Sequence, residues 1–283
     1  MIDFPIVDTH VHLLNHEKLN YPWVDDFPLL SRSFVLEDFD AACGPVDVDK
    51  IVFVQCNVEQ RQFIEEIQWI TSLAEQDPRL CGAVSWAPLA HGESVRSELE
   101  QLIQLPILRG VRHVIESEAD LDFCIRPEFV RGVQTLADFD KSFDICINHV
   151  QLSNTIKLVE QCPDVRFILD HIAKPDIKQQ LFDPWSDEME TLASFDNVTC
   201  KISGMATEAD HENWTRDDLV PYIDHVLECF GFDRVMFGGD WPVSTMATDY
   251  PRWVETLHWV VSGASQDEQQ KLFRDNAIKI YRL

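Results

Sequence analysis

The pair His10 and His12 is the first group of residues along the chain that could perform chemistry. Both follow a short apolar segment, Pro5–Asp8, that is typical of a strand. In an extended segment, residues two apart point to the same side, so the two imidazoles can address one metal ion or one substrate oxygen. Buried histidines often have only a packing role. The spacing alone is therefore weak evidence, and the pair needs partners from elsewhere in the chain.

Further polar side chains follow other apolar segments in the same manner. Asp240 comes after two glycines, which allow a close approach of the backbone to its neighbours. Its carboxylate could bind a metal ion or accept a proton from water as a general base. Arg112 offers a planar fork for a carboxylate or carbonyl oxygen, although a structural ion pair is the alternative. The other polar groups at the ends of such segments are His113, Asn148, His149, Asp170, His171, Lys174 and Lys201.

Eight short segments have the length and the apolar, β-branched composition of parallel strands that are buried on both faces. They are Pro5–Asp8, Lys50–Gln55, Gly82–Trp86, Gly110–Val114, Phe143–Asn148, Val165–Asp170, Val198–Ile202 and Arg234–Gly238. Longer amphipathic segments lie between and after them and predict helices. These are Gln60–Gln76, Ser94–Leu105, Pro127–Asp138, Leu152–Gln161, Trp185–Ser194, Arg216–Phe230, Tyr250–Val261 and Ser265–Tyr281.

Regular alternation of strands and helices is typical of a parallel α/β fold. Eight repeats, with no break in composition and no dinucleotide-binding glycine motif after an early strand, predict a (β/α)8 TIM barrel, with residues 1–283 as a single domain. Active sites of such barrels lie at the C-terminal ends of the strands. The fold would therefore bring polar residues that are remote in sequence to one mouth. The candidates for catalysis, or for binding a metal ion, are His10, His12, His171 and Asp240.

The same mouth provides candidates for substrate binding. The longest irregular stretch, Leu13–Ser33, would lie over this face as a loop, a common place for lids and specificity contacts. Strand alternation places His113 opposite Arg112, in a packing position. Lys201 lies within a strand and should be paired if it points inward. The residues expected to bind substrate are Arg112, His149, Lys174, Trp23 and Trp241. Packing is an equal alternative for His149, and a tryptophan is more often simply part of the core.

Charge and cysteine content limit the classes of partner and the compartment. The formal charge is −26, from 23 Lys and Arg against 49 Asp and Glu, and this field argues against nucleic acids and anionic membranes as partners. The eight cysteines form no Cys-x-x-Cys pair and favour a reducing cytosol. The first residues leave no room for a signal peptide, and no apolar run approaches the roughly 18 residues that span a membrane. We expect a cytoplasmic protein that acts on a small molecule and is compatible with a homo-oligomer.

The motifs at the predicted strand ends closely resemble those of the amidohydrolase superfamily, of the amidohydrolase 2 type. The resemblance covers essentially the whole chain and rests first on VDTHVH at 7–12 and FGGDWP at 237–242. More specifically, the chain looks like the branch of sugar-acid lactonases (L-fuconolactonase and L-rhamnonolactonase) and 2-pyrone-4,6-dicarboxylate lactonases. The stretches LRGVRHV at 108–114, LDHIAKP at 169–175 and CKISG at 200–204 support that branch.

The resemblance implies hydrolysis of a cyclic ester, in which Asp240 deprotonates the attacking water. His10, His12 and His171 would polarise the lactone carbonyl, and Arg112 would position the substrate. Preorganised donors can stabilise the charge that builds on the carbonyl oxygen by several kcal/mol. The polar but not strongly cationic mouth favours a neutral L-fucono- or L-rhamnono-type lactone. One alternative is hydrolysis or decarboxylation of a carboxylated pyrone or aromatic compound, and another is a non-catalytic sugar-binding barrel.

Metal use is left open by the resemblance. Most amidohydrolases use one or two divalent ions, whereas this branch resembles members that work without one. The predicted histidines and Asp240 could hold a single ion, best Zn²⁺, or act directly as acid, base and electrophile. No lysine stands at the end of the fifth predicted strand, where a bridging carbamate would form. This departure argues against a binuclear site.

Overall fold

The computed structural model describes residues 2–283, in which eight strands alternate with helices. The strands are β1 (Ile6–Val11), β2 (Val48–Val54), β3 (Leu80–Ser85), β4 (Leu108–Val114), β5 (Ser142–Cys146), β6 (Arg166–Leu169), β7 (Val198–Ile202) and β8 (Val235–Phe237). Each strand pairs in parallel with the next, in the order β1 to β8. Most of their residues are buried, as expected for strands covered by helices on one face and filling a barrel on the other.

The first and last strands meet through the residues that follow them. Val11 forms a parallel bridge with Trp241, and the His12 N–H donates to the Trp241 carbonyl at 2.7 Å. The Asp240 N–H donates to the His10 carbonyl at 2.8 Å. These contacts bring the eighth strand to the first and give the predicted (β/α)8 barrel. They also place the two histidines directly beside Asp240.

Ten α-helices cover the barrel in the described residues. They are α1 (Leu36–Cys43), α2 (Phe63–Ala74), α3 (Arg96–Leu102), α4 (Pro127–Asp138), α5 (Leu152–Gln161), α6 (Trp185–Ala193), α7 (Arg216–Phe230), α8 (Tyr250–Val260), α9 (Gln266–Gln270) and α10 (Asn276–Tyr281). Helix α1 is not predicted from the sequence because its eight residues, about two turns, are too few to show a clear helical period. The long helix predicted at the C-terminus is instead interrupted by a π-helical turn at Lys271–Asp275. No helix in residues 2–283 combines the length and apolar character needed to cross a membrane.

The inside of the barrel is apolar at one level and charged at the next. Buried branched and sulfur-containing side chains form a cluster that the C-terminal helix contacts through Tyr281 and Leu283. The Tyr281 hydroxyl donates to the Asp144 carboxylate, which also pairs with Lys201. The chain end therefore packs under a buried polar layer, and that layer lies beneath the mouth. The buried members of the cluster are Val52, Val54, Val84, Ile168, Met236 and Tyr281.

Candidate active site

Four side chains converge at the mouth of the barrel. His10 lies on β1, His12 directly follows it, and His171 and Asp240 follow β6 and β8. Asp240 Oδ1 lies within 4 Å of each histidine Nε2, at 3.7 Å for His10, 3.6 Å for His12 and 3.9 Å for His171. His10 is completely buried, and the other three are no more than 6% exposed. One carboxylate oxygen therefore faces three imidazole nitrogens in a largely dry environment.

The neighbours of the β1 histidines decide which nitrogen carries the proton. His12 Nδ1 lies 2.8 Å from the Val54 carbonyl oxygen, which can only accept. Nδ1 is therefore the donor, and a neutral His12 turns the lone pair of Nε2 toward Asp240. His10 Nδ1 lies 3.4 Å from the Asp170 carboxylate, which favours the same tautomer. A neutral ring at either position therefore presents an acceptor, rather than a donor, to the centre of the site.

His171 is held differently, by a turn in the left-handed region. Residues 171–174 have φ values of 54°, 49°, 62° and 48°, an unusual run for residues other than glycine. His171 Nδ1 lies 2.9 Å from Ser203 Oγ, a hydroxyl that can donate or accept. A Cβ atom at Gly204 would lie only 2.5 Å from His171 Nδ1, so the glycine is needed for this close approach. His171 is thus the one imidazole of the three whose Nε2 can carry the proton while the ring is neutral.

Asp8 holds the two sides of the barrel seam together beneath the site. Its carboxylate accepts the N–H groups of His10 at 2.9 Å and Gly239 at 2.8 Å, and the Tyr250 hydroxyl at 2.8 Å. Burial raises the pKa of Asp8 to about 6. A Cβ atom at Gly239 would lie 2.3 Å from the Asp8 carboxylate, which explains the small residue before Asp240. The sequence motif contains Asp8, but its positioning role follows only from these contacts.

A buried charge network lies behind the histidines. Lys201 Nζ is 2.9 Å from both the Asp144 and the Asp170 carboxylates, and Arg112 Nη1 is 3.3 Å from Asp170. Burial raises the pKa of Asp170, but Lys201, His10 and Arg112 together hold it well below its usual range. Asp170 is therefore ionised, with its Oδ1 3.4 Å from His10 Nδ1. Asp170 belongs to the motif at 169–175 and Asp144 to the fifth predicted strand, and neither position indicates this network. The expectation that an inward Lys201 would be paired pointed to it.

The pKa shifts fix the charges that face one another at neutral pH. Burial lowers the pKa of His10 well below its usual range and that of His171 to about 4, so both rings are neutral. Burial raises the pKa of Asp240, but His171, His12 and His10 outweigh it and hold that pKa below the ordinary value. The centre of the site is therefore an ionised carboxylate beside the neutral rings of His10 and His171.

This donor set fits a single divalent cation. His12 Nε2 and the Asp240 carboxylate face each other at 3.6 Å, an arrangement that either a proton on Nε2 or a metal cation between the two atoms stabilises. Ligand atoms on a tetrahedral zinc ion, with bonds of about 2.0–2.2 Å, are about 3.3–3.6 Å apart. The measured separations of 3.6–3.9 Å are slightly wider. Two overlapping groups could hold one divalent ion: His10, His12 and Asp240, and His10, Asp170 and His171. The first group contains Asp240, and His171 lies beside it.

A cavity of about 440 Å³ opens from this centre to the barrel mouth. Lys174 lines it and lies 2.6 Å from Glu116, so its charge is already paired. Glu208 also lines the cavity, and burial raises its pKa to about 7. Neither carboxylate is predicted for this wall from the sequence: Glu116 lies two residues beyond β4 and Glu208 six beyond β7, both in short turns.

The cavity includes some of the predicted substrate-binding residues and not others. Arg112, Lys174 and Trp23 line it, together with the catalytic candidates His12, His171 and Asp240. His10 lies behind them, fully buried.

Two of the residues expected to bind substrate, Trp241 and His149, lie away from the cavity lining. Trp241 packs against Phe34 and Phe39 in the helical layer, because it follows the inward Asp240 and alternation turns it outward. His149 lies outside the lining, and its Nδ1 donates to the Lys174 carbonyl at 2.9 Å. Both side chains therefore support the residues of the mouth and do not face the cavity.

Known proteins resemble this chain over almost its full length. An L-fucono-1,5-lactonase of Burkholderia multivorans is 28% identical over 289 residues, covering 98% of this chain and 96% of the relative. An L-fucono-1,5-lactonase of Burkholderia ambifaria is 26% identical, with coverages of 98% and 95%. A crystal structure of an amidohydrolase from Burkholderia multivorans with bound Zn is 27% identical, has a TM-score of 0.88, and matches 99% of this chain and 100% of that one.

A sequence profile of the amidohydrolase family matches almost the whole chain. It matches residues 7–283, from the strand that carries His10 to the last residue. The match includes every residue of the convergent group around Asp240. The chain therefore belongs to the amidohydrolase family.

Proposed function

We propose that the protein hydrolyses a neutral sugar-acid lactone of the L-fucono- or L-rhamnono-lactone type. The observation that carries this proposal is the buried, ionised Asp240 facing the cavity among three neutral or hydrogen-bonded imidazoles. The similarity to the Burkholderia lactonases supports the same reaction class. Hydrolysis of a cyclic ester needs a base for water and a polar environment for the carbonyl oxygen, and this site can supply both.

The residues can be assigned to the steps of the reaction. Asp240 accepts a proton from water as the oxygen of that water bonds to the lactone carbonyl carbon. His171, with a proton on Nε2, donates to the carbonyl oxygen as negative charge develops there. When the ring C–O bond breaks, the proton held by Asp240 passes to the ring oxygen and leaves a hydroxy acid. Asp240 is then ionised again.

The charges around the cavity favour a substrate without carboxylates. Of its two basic side chains other than histidine, Lys174 pairs with Glu116 and Arg112 pairs with Asp170. Glu208 adds a further acceptor to the wall. A pyrone dicarboxylate would require cations free to bind it, whereas the hydroxyl groups of a neutral sugar can donate to these carboxylates.

A screen of lactones with a pH indicator tests the proposal. L-Fucono-1,5-lactone, L-rhamnono-γ-lactone and 2-pyrone-4,6-dicarboxylate should be compared, with Asp240→Asn protein at equal concentration as the correction for spontaneous ring opening. We expect turnover of at least one neutral sugar lactone above that background. Turnover of the dicarboxylate alone, or of none of the three, would contradict the proposal.

We further propose that the resident metal is one Zn²⁺, held by His10, His12 and Asp240, with His171 beside them. When bound there, such an ion polarises a carbonyl and makes a bound water more acidic.

Purified protein should contain about one zinc per chain by elemental analysis, and chelation should lower its Tm because a bound ligand stabilises the folded state. His12→Ala should lose most of the zinc. The exposed His16 lies on the following loop, and His16→Ala is the control that should retain it. Substoichiometric metal together with full activity in excess chelator would refute the metal site.

A further inference from the structure

An outer groove of about 530 Å³ adjoins the central cavity. The two spaces are contiguous, because Trp23, Asn57, Val114 and Ser117 line both. Each has a volume within the range of about 300–1,000 Å³ that is typical of small-molecule sites. The groove lies over the ends of β2, β3 and β4, whereas the catalytic groups follow β1, β6 and β8. A molecule with two linked rings can therefore extend across the mouth from one space into the other.

Two indole rings give this outer groove flat apolar surfaces. Trp23 Nε1 donates to the Cys56 carbonyl at 2.7 Å, which fixes the orientation of its ring. Trp86 is half-buried and packs edge-on against Phe63, with ring centroids 5.2 Å apart. An indole face is apolar and carries negative potential, so it suits the C–H face of a sugar ring. Both rings are thus prepared to stack a ligand without a large loss of side-chain freedom.

The charged groups of the groove compensate one another. Arg61 Nη2 lies 2.9 Å from the Glu59 carboxylate, and His113 Nε2 lies 2.7 Å from the Glu118 carboxylate. Among the described lining residues these are the basic side chains, and each of them already faces a carboxylate. The amide of Asn57 and the paired carboxylates offer hydrogen bonds to hydroxyl groups instead. The groove therefore favours a neutral, polyhydroxylated ring.

We propose that the outer groove is a second sugar subsite, and that the preferred substrate is an aldonolactone that carries a further glycosyl ring. The inference rests on the proposed lactone hydrolysis: the lactone ring would lie beside Asp240, and the glycosyl ring would stack on Trp86. The added contact would be present in both the bound substrate and the transition state, so it should act mainly by lowering KM.

Kinetics with matched lactones test this subsite. D-Glucono-1,5-lactone should be compared with its glycosylated forms, the 1,5-lactones of cellobionic, maltobionic, lactobionic and gentiobionic acids. We expect at least one of these to have a kcat/KM roughly tenfold above that of the parent, the size expected for an aromatic stacking contact with its buried area. Equal or lower kcat/KM for every glycosylated lactone would overturn the proposal.

Variants of Trp86 connect that preference to the groove. Trp86→Ala should abolish the advantage of the glycosylated lactone and leave the parent lactone unchanged, while Trp86→Phe should keep part of it. Trp259, which is 45% exposed and lies on α8, supplies the control Trp259→Ala, which should change neither substrate. An advantage that persists undiminished in Trp86→Ala would place the second ring elsewhere and refute the subsite.

A binding measurement separates the subsite from the reaction. Saturation-transfer NMR with the neutral disaccharides cellobiose, maltose, lactose and gentiobiose, against glucose, does not depend on catalysis. If no lactone is hydrolysed but a disaccharide binds wild-type protein and not Trp86→Ala, the lactonase proposal fails and the sugar subsite stands. If lactones are hydrolysed, but no disaccharide binds and no glycosylated lactone has a higher kcat/KM than its parent, the subsite fails and the lactonase proposal stands.

Discussion

Asp240→Asn is expected to lower the kcat of lactone hydrolysis by about 10²–10⁴-fold, the usual contribution of a general base. The amide has nearly the same shape as the carboxylate but cannot accept the proton of the attacking water. It would also replace a charged neighbour of His12 and His171, at 3.6 Å and 3.9 Å, with a neutral one. The measurement is kcat and KM on whichever neutral lactone the wild-type protein turns over.

Two controls make the result specific. Asp233 is an exposed aspartate paired with Lys271, and Asp233→Asn should leave kcat unchanged. Elemental analysis of the Asp240→Asn protein separates loss of the base from loss of a metal ligand. A large fall in kcat with zinc retained supports the base, whereas kcat near the wild-type value would show that another group takes the proton.

Lys201→Met is expected to lower the free energy of unfolding by about 3–5 kcal/mol, because it removes one partner from a buried charge network. In the wild-type protein the Asp144 and Asp170 carboxylates each lie 2.9 Å from Lys201 Nζ. Methionine fills a similar volume but leaves both carboxylates without that cation. The measurement is urea-induced unfolding. Lys271 also contacts two aspartates, but at the surface. As the control, Lys271→Met should lower the free energy of unfolding by less than about 1 kcal/mol.

The loss of unfolding free energy caused by Lys201→Met, here called the deficit, should depend on pH because of the same contacts. Burial raises the pKa of Asp144, and Lys201 opposes that rise, so removing the lysine should raise the pKa of Asp144 further in the folded protein. A group whose pKa is higher in the folded state loses stabilisation as pH rises through that pKa. The deficit should therefore be smaller at pH 5 than at pH 8. A pH-independent deficit, or one below about 1 kcal/mol, would show that the aspartates find other partners.

The local sequence was sufficient to predict the barrel and the location of its site. Short β-branched segments alternating with amphipathic ones are properties of a few neighbouring residues, and eight such units favour a closed parallel sheet. The predicted strand Val198–Ile202 has the observed bounds, and the others differ by a few residues at their ends. Convergence of His10, His12, His171 and Asp240 then follows from the rule that strand C-termini share one mouth.

The roles within the site depended on contacts between remote segments. The tautomer of His12 is set by the Val54 carbonyl, 42 residues away, and the charge state of Asp170 by Lys201, 31 positions along the chain. The register of the closed barrel determines which remote residues become partners. The pattern of apolar residues within one segment carries no information about them. Only the tertiary structure could show that His12 Nδ1 donates to a backbone carbonyl while His171 Nδ1 faces a hydroxyl group.

The sequence by itself thus determined the fold and which strand ends carry the chemistry, because both are encoded in local pattern. The tertiary structure decided which side chains face the cavity. It turned Trp241 against Phe34 and placed His149 behind Lys174, and it brought Glu208 to the wall. These outcomes depend on how the loops after different strands pack against one another. That packing sets the direction and the charge of each side chain, and the residue type alone does not determine either.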